Sequence, residues 1–115
     1  MTEKAQFRQY DLWWAELPEP AGHRPVLLLS RDSSYTYLNK FLAVEITTTI
    51  RGIAVELELG QEEGLSKRCV ANFDNIRTIN RLALTKRIGS LGERRRVEAK
   101  RAVGHALAWD ELSHV

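Results

Sequence analysis

Short apolar runs separated by clusters of turn-forming residues dominate the first three quarters of the chain, a pattern of many short strands. Tyr10 to Leu17 is rich in aromatics and reads as a first strand. Pro18-Glu19-Pro20-Ala21-Gly22 ends it, because proline donates no ladder hydrogen bond and glycine permits a turn. Pro25 to Ser30, with its run Val-Leu-Leu-Leu, reads as a buried second strand, and Asp32-Ser33-Ser34 starts a loop. Phe41 to Ile50 is rich in β-branched residues that suit a pleated surface, until Arg51-Gly52 breaks it. Val55 to Leu59 alternates strictly, so one face is buried and the other wet. Gly60 and Gly64 bracket a turn, Lys67 to Phe73 is a further strand, Arg77-Thr78-Ile79 a short extended piece, and Leu84 to Ile88 the last strand.

The period changes after Gly92. Between Gly92 and Leu112 the residues Val97, Val103, Ala106 and Leu107 recur at helical spacing. Arg94, Arg95, Arg96, Lys100 and Arg101 form the opposite face, expected to be solvated, and Glu93 sits where the helix dipole favours negative charge. Gly104 should weaken this helix by about 1 kcal/mol relative to alanine. Strands followed by a terminal helix predict a mainly β protein with α: a small, strongly bent barrel with a C-terminal helix packed on it.

Composition narrows the picture without changing it. The 115 residues suit a single domain, and 43% apolar with 28% charged residues excludes a disordered chain. A chain of this size buries only about 65% of its unfolded surface, so dimerisation would help it. No apolar run, Val26 to Leu29 included, exceeds four residues, too short to cross a bilayer. Met1-Thr2-Glu3-Lys4 lacks a signal-peptide pattern, so a cytoplasmic location and no membrane association are expected. The single cysteine, Cys69, and three scattered histidines match no zinc spacing, so no metal or cofactor is expected, and Cys69 is read as a buried strand residue. A net charge of +2 permits contact with nucleic acid without demonstrating it.

Several segments, in order, resemble the MazF/PemK family of toxins. Asp11-Leu12-Trp13-Trp14-Ala15-Glu16-Leu17 is similar to that family's first strand. Gly22-His23-Arg24-Pro25-Val26-Leu27-Leu28-Leu29-Ser30 resembles its arginine-proline step and second strand. Val44-Glu45-Ile46-Thr47-Thr48-Thr49-Ile50 looks like the threonine-bearing third strand. Val70 to Ile79 resembles a later strand with its Arg-Thr-Ile tail, and Ile88-Gly89-Ser90-Leu91 and the helix after it also match. The resemblance spans residues 8 to 109. It implies an SH3-like barrel, a homodimer, a metal-independent endoribonuclease that cuts single-stranded RNA, and a cognate antitoxin that blocks the RNA groove.

Metal-free cleavage uses the substrate's own 2′-hydroxyl as nucleophile, so the protein must stabilise the phosphorane charge and move two protons. The resemblance assigns the catalytic arginine to Arg24, whose planar fork suits two phosphate oxygens; a guanidinium, always charged, is a poor base. Thr47 carries over as the catalytic threonine, and Thr49 shares its face because side chains alternate along a strand. The proton acceptor stays open between His23 and Asp74. Asp74 matches an aspartate of the Kid-like branch, but Asn72 stands where that branch has an arginine; capping a turn at Asn75 is the other reading of Asp74. Arg51 and Arg77 either touch RNA or pair with Glu56 or Glu58. Tyr35 and Tyr37 are candidate base contacts, and Trp14 belongs to the core or a dimer interface. The alternatives are a non-enzymatic CcdB-like toxin, whose hydrophobic tryptophan-bearing end is replaced here by polar residues after Trp109, and a plain nucleic-acid-binding barrel.

Overall fold

A computed structural model describes residues 6–115. The strands are β1 (Asp11–Glu16), β2 (His23–Leu28), β3 (Lys40–Thr47), β4 (Glu56–Leu59), β5 (Cys69–Asn80) and β6 (Leu84–Ser90). Two helices follow, α1 (Glu93–Leu107) and α2 (Asp110–Ser113). Single 3-10 turns lie at Asp32–Thr36, Gln61–Glu63 and Arg81–Ala83. The six strands form one antiparallel sheet in the order β4-β5-β3-β2-β1-β6, curled into a half-barrel. This is the mainly β architecture with a C-terminal helix that the periodicity predicts.

The sheet buries both faces. Leu12, Leu27, Val44, Ile46 and Phe73 pack on one side against Ala99 and Ala102 of α1. Trp13, Val26, Leu28, Phe41 and Ile79 form a second core on the other side, with Phe7 and Tyr35. Strand alternation therefore sends neighbouring residues of β2 into different cores, which explains why its apolar run is continuous.

The expectation for Tyr35 is overturned. Its side chain is 1% exposed, edge-on to Phe41 with ring centroids 4.5 Å apart, so it has no face to offer a base. Burial pushes its phenol above its ordinary range, with Asp32 and Asp11 adding to the effect. Tyr37, 60% exposed, keeps a free surface.

β5 corrects the expectation of two short pieces. It is one strand of 12 residues that pairs with β4 and β3 in its first half and with β3 alone in its second. The break lies where Val44 pairs with Ile76 but Ile46 pairs with Ala71, so β5 carries extra residues there as a bulge. A bulge leaves backbone donors without ladder partners. The Asn72 side chain supplies one, accepting from the Asp74 N–H at 2.9 Å, and Val55 O accepts from the Phe73 N–H at 2.9 Å. Asp74 thus caps no turn at Asn75; it lies within the bulged strand, and the capping oxygen comes from the buried Asn72.

The open edges of the sheet are drawn together by backbone contact at two glycines. The turn at Gln61–Glu63 lies against β6 so closely that a Cβ on Gly89 would sit 2.5 Å from Glu63 O. One on Gly64, at φ +96°, would sit 2.8 Å from Ile88 O. Glu63 is buried there, its carboxylate accepting from Gly60 N–H at 2.7 Å and lying 3.6 Å from Arg95 Nε.

Arg95 consequently departs from the expected solvated helix face: it also reaches Glu98 and the Glu58 carbonyl. Arg96 donates to Leu91 O at 3.1 Å and lies over the Tyr10 ring, Arg101 donates to the Val115 carbonyl, and Arg94 and Lys100 are left to water. The single helix expected from Gly92 to Leu112 ends at Leu107, where Ala108 turns left-handed and α2 folds back. Gly104 makes this possible, since a Cβ there would stand 2.4 Å from Ser113 N. Among the described residues no helix is long and apolar enough to cross a membrane.

Candidate active site

Extending the β2–β3 register outward from Val26↔Glu45 brings Arg24 level with Thr47. Period-two alternation then puts Glu45 and Thr47 in one row facing Arg24; β3 ends at Thr47, so Thr49 does not share that face by alternation as expected but reaches the same groove from the bend that follows the strand. The row lines a groove of three joined hollows. The first, about 510 Å³, is lined by Trp14, His23, Arg24, Pro25, Ile46, Thr47, Leu65, Lys67 and Cys69. The second, about 250 Å³, is lined by Arg24, Glu45, Thr47, Thr49, Arg51, Asn72 and Asn75. The third is formed by Glu45, Asp74, Asn75, Ile76 and Arg77. Arg24 and Thr47 belong to the first two, and Glu45 and Asn75 join the second to the third.

Arg24 is half-buried and its Nε donates to Ala21 O at 3.0 Å. That bond fixes the plane of the guanidinium and leaves its two terminal nitrogens free. Among the described residues no carboxylate lies within ion-pair distance of it. A half-buried arginine without an anion is a ready phosphate site, because the charge lacks a partner in a setting that screens it poorly. The Thr47 hydroxyl accepts from the Thr49 N–H at 3.1 Å, which orients its own hydrogen away from that bond. Thr49 therefore serves the site through its backbone as well as lining the second hollow.

His23 closes the first hollow. Its Nδ1 is hydrogen-bonded to the Glu16 carboxylate, and its ring stacks on Trp14 at 4.5 Å between centroids and 6° between planes. Trp14 is half-buried and holds a site residue as well as filling space. Asp74 lines only the third hollow, beside Glu45 and Arg77, and shares none with Arg24 or Thr47. Neither Tyr35 nor Tyr37 lines the groove.

The pairing expected for the two strand-end arginines is different from that observed. Arg77 is ion-paired to Glu45, and Glu58 pairs with Arg68 at 2.6 Å. The Glu56 carboxylate accepts from the backbone N–H groups of Arg51 and Gly52, so it shapes the loop and leaves the Arg51 guanidinium to line the second hollow. Glu45, Asn72, Asn75 and Lys67 are groove residues that sequence reasoning passed over. For Glu45 the signal existed: it stands two positions before Thr47 in a strand and must share its face. Cys69 lies at the floor, its thiol pushed up by burial and then by Glu63, which keeps it protonated and poorly nucleophilic. No group of three or more His, Cys, Asp or Glu gathers into a possible metal site among the described residues.

Known proteins resemble this chain in both sequence and fold. The family described as PemK-like, MazF-like toxin of type II toxin-antitoxin system matches residues 8–107. A probable endoribonuclease, MazF2 of Mycobacterium tuberculosis, is 42% identical over 93 residues, covering 80% of this chain and 89% of the relative. The solved structure of the Mycobacterium tuberculosis toxin MazF-mt6 superposes with a TM-score of 0.80 at 32% identity, covering 85% of this chain and 96% of that one. A mycobacterial endoribonuclease in complex with its cognate antitoxin shares the fold, with a TM-score of 0.78 at 23% identity over 90% of this chain and 96% of that one. A family match over the whole of the sheet and α1 settles the membership: the chain belongs to the PemK-like, MazF-like endoribonuclease toxins of type II toxin–antitoxin systems.

Proposed function

We propose that this toxin cleaves single-stranded RNA without a metal, by attack of the 2′-hydroxyl on the adjacent phosphorus, and that Arg24, Thr47 and His23 carry the reaction. The observation that supports this best is the Arg24 guanidinium, with no carboxylate partner among the described residues, in the same hollows as an oriented threonine hydroxyl. Arg24 clamps two phosphate oxygens and gains as charge builds in the phosphorane. Thr47 donates to a phosphoryl oxygen. His23 takes the 2′-proton; it is favoured over Asp74 because it shares a hollow with both other groups. Arg51 and Thr49 in the second hollow and Arg77 in the third line the path of the flanking phosphates, where Arg77 exchanges Glu45 for RNA or holds it in place. Asp74 remains as an outer contact to the strand; Tyr37, at the opposite end of β2 and β3, lies outside the groove and has no such role.

A cognate antitoxin would silence the protein by covering this groove, in keeping with the antitoxin-bound mycobacterial neighbour, and a second copy would extend the groove in a homodimer. The toxin acts in the cytoplasm on this reading, since its substrate is there.

The test is to incubate the purified chain with a long single-stranded transcript in excess EDTA and to characterise the ends. Fragments ending in 2′,3′-cyclic phosphate are expected. No cleavage under EDTA, or cleavage that survives a 2′-deoxy substitution at the cut site, sinks the mechanism.

A further inference from the structure

The carboxylate beneath His23 belongs to Glu16, a residue that none of the motifs above singles out. Glu16 and His23 are direct cross-strand partners, the last pair of the β1–β2 ladder before the hairpin turn. Leu17 N–H donates to Gly22 O at 2.9 Å just beyond them and closes the turn. The pair is thus held by ladder geometry, although both side chains are more than half exposed, 59% for Glu16 and 54% for His23. Trp14 lies two residues before Glu16, on the same face, and its indole covers one side of the imidazole.

A carboxylate only accepts hydrogen bonds, so the nitrogen that faces it must carry the proton. That nitrogen is Nδ1, bound to Glu16. In the neutral ring Nε2 is then the bare nitrogen, and among the described residues it has no hydrogen-bond partner. A ring held in one tautomer and one plane is a better proton acceptor than a free one, because it spends no time in the wrong protonation pattern or orientation.

We infer that Glu16 is a positioning residue for RNA cleavage: with Trp14 it fixes the His23 ring so that Nε2 receives the 2′-hydroxyl proton in the hollow shared with Arg24 and Thr47. This rests on the proposed role of His23. In the step, the bond from the 2′-oxygen to phosphorus forms as the proton passes to Nε2. The bond from phosphorus to the 5′-oxygen breaks, and the departing oxygen takes a proton from water. The hydroxide left behind is neutralised by the proton that His23 then releases.

The experiment compares Glu16→Ala, Glu16→Gln, His23→Ala and the double alanine variant as full chains on a single-stranded transcript. It reads kcat and KM, together with the ring nitrogen signals of His23 by 15N NMR. General-base catalysis contributes about 10²- to 10⁴-fold, so removing its orientation should cost roughly 10- to 100-fold in kcat at unchanged KM. Glu16→Gln should recover most of the loss, because its amide oxygen still accepts from Nδ1–H. The NMR signals should show the Nδ1–H tautomer in the parent and in Glu16→Gln, and a mixture in Glu16→Ala. Glu16→Ala should add nothing in the His23→Ala background. Cleavage abolished by His23→Ala but unchanged in Glu16→Ala overturns the positioning role alone. Full activity in His23→Ala overturns the role of His23 and, with it, that of Glu16. A Glu16→Ala loss of equal size with and without His23 also refutes the inference.

Discussion

Replacing Arg24 by alanine is expected to lower kcat for RNA cleavage by about a thousandfold and leave the protein folded. The size follows from what the side chain does in the groove. It is half-buried, has no carboxylate partner among the described residues, and is aimed by the Nε bond to Ala21 O. A preorganised cation of this kind interacts most strongly when the phosphorane carries its extra charge, so its loss falls on the transition state. Stability should change little, because a single partly exposed hydrogen bond contributes about 1 kcal/mol. Arg24→Lys should restore only a small part of the rate, since a point charge cannot span two oxygens as a planar fork does. Single-turnover cleavage alongside circular dichroism measures both quantities. A folded Arg24→Ala variant within tenfold of the parent rate would refute the clamp.

The second large effect is on folding. Gly89→Ala should destabilise the protein by roughly 2–3 kcal/mol, because overpacking a close contact costs that much when the neighbour is backbone. The added methyl would stand 2.5 Å from Glu63 O, and neither partner is a flexible side chain that can swing away. For a domain of this size the melting temperature should fall by about 10 °C. The same change at Gly92, where a Cβ meets nothing within 4 Å, is the control. If thermal denaturation shows both variants alike, the contact between β6 and the turn at Gln61–Glu63 contributes nothing to stability.

Much of the architecture was readable because each strand signals itself locally. The alternation of Val55 to Leu59, the apolar run after Pro25 and the period change after Gly92 each lie within one element. The misreadings are non-local. The bulge in β5 depends on β3 and β4 meeting it at different registers, which nothing around Asp74 announces. Tyr35 looked like a loop residue because it follows Asp32-Ser33-Ser34, but a 3-10 turn swings it under the sheet against Phe41. Arg95 reads as one more basic residue on a wet face until Glu63 is folded beneath it.

The site divides the same way. Arg24 and Thr47 stand in recognisable strand motifs, and the structure brings both to the same two hollows. Glu16 was hidden because its importance is a register pairing seven residues away through a turn. Glu45 was overlooked although alternation alone puts it on the Thr47 face, and only the structure supplies Arg77 as its partner.

The contact between Gly64 and β6 has a genetic side. A toxin gene is under selection for its own inactivation in any cell that loses its protection, and most base changes in a glycine codon add a side chain. Survivors of toxin expression should therefore carry mutations at the codons for Gly64 and Gly89 as readily as at that for Arg24. Sequencing such escapees would trace this close backbone approach as a second cluster of lesions, one that never touches RNA.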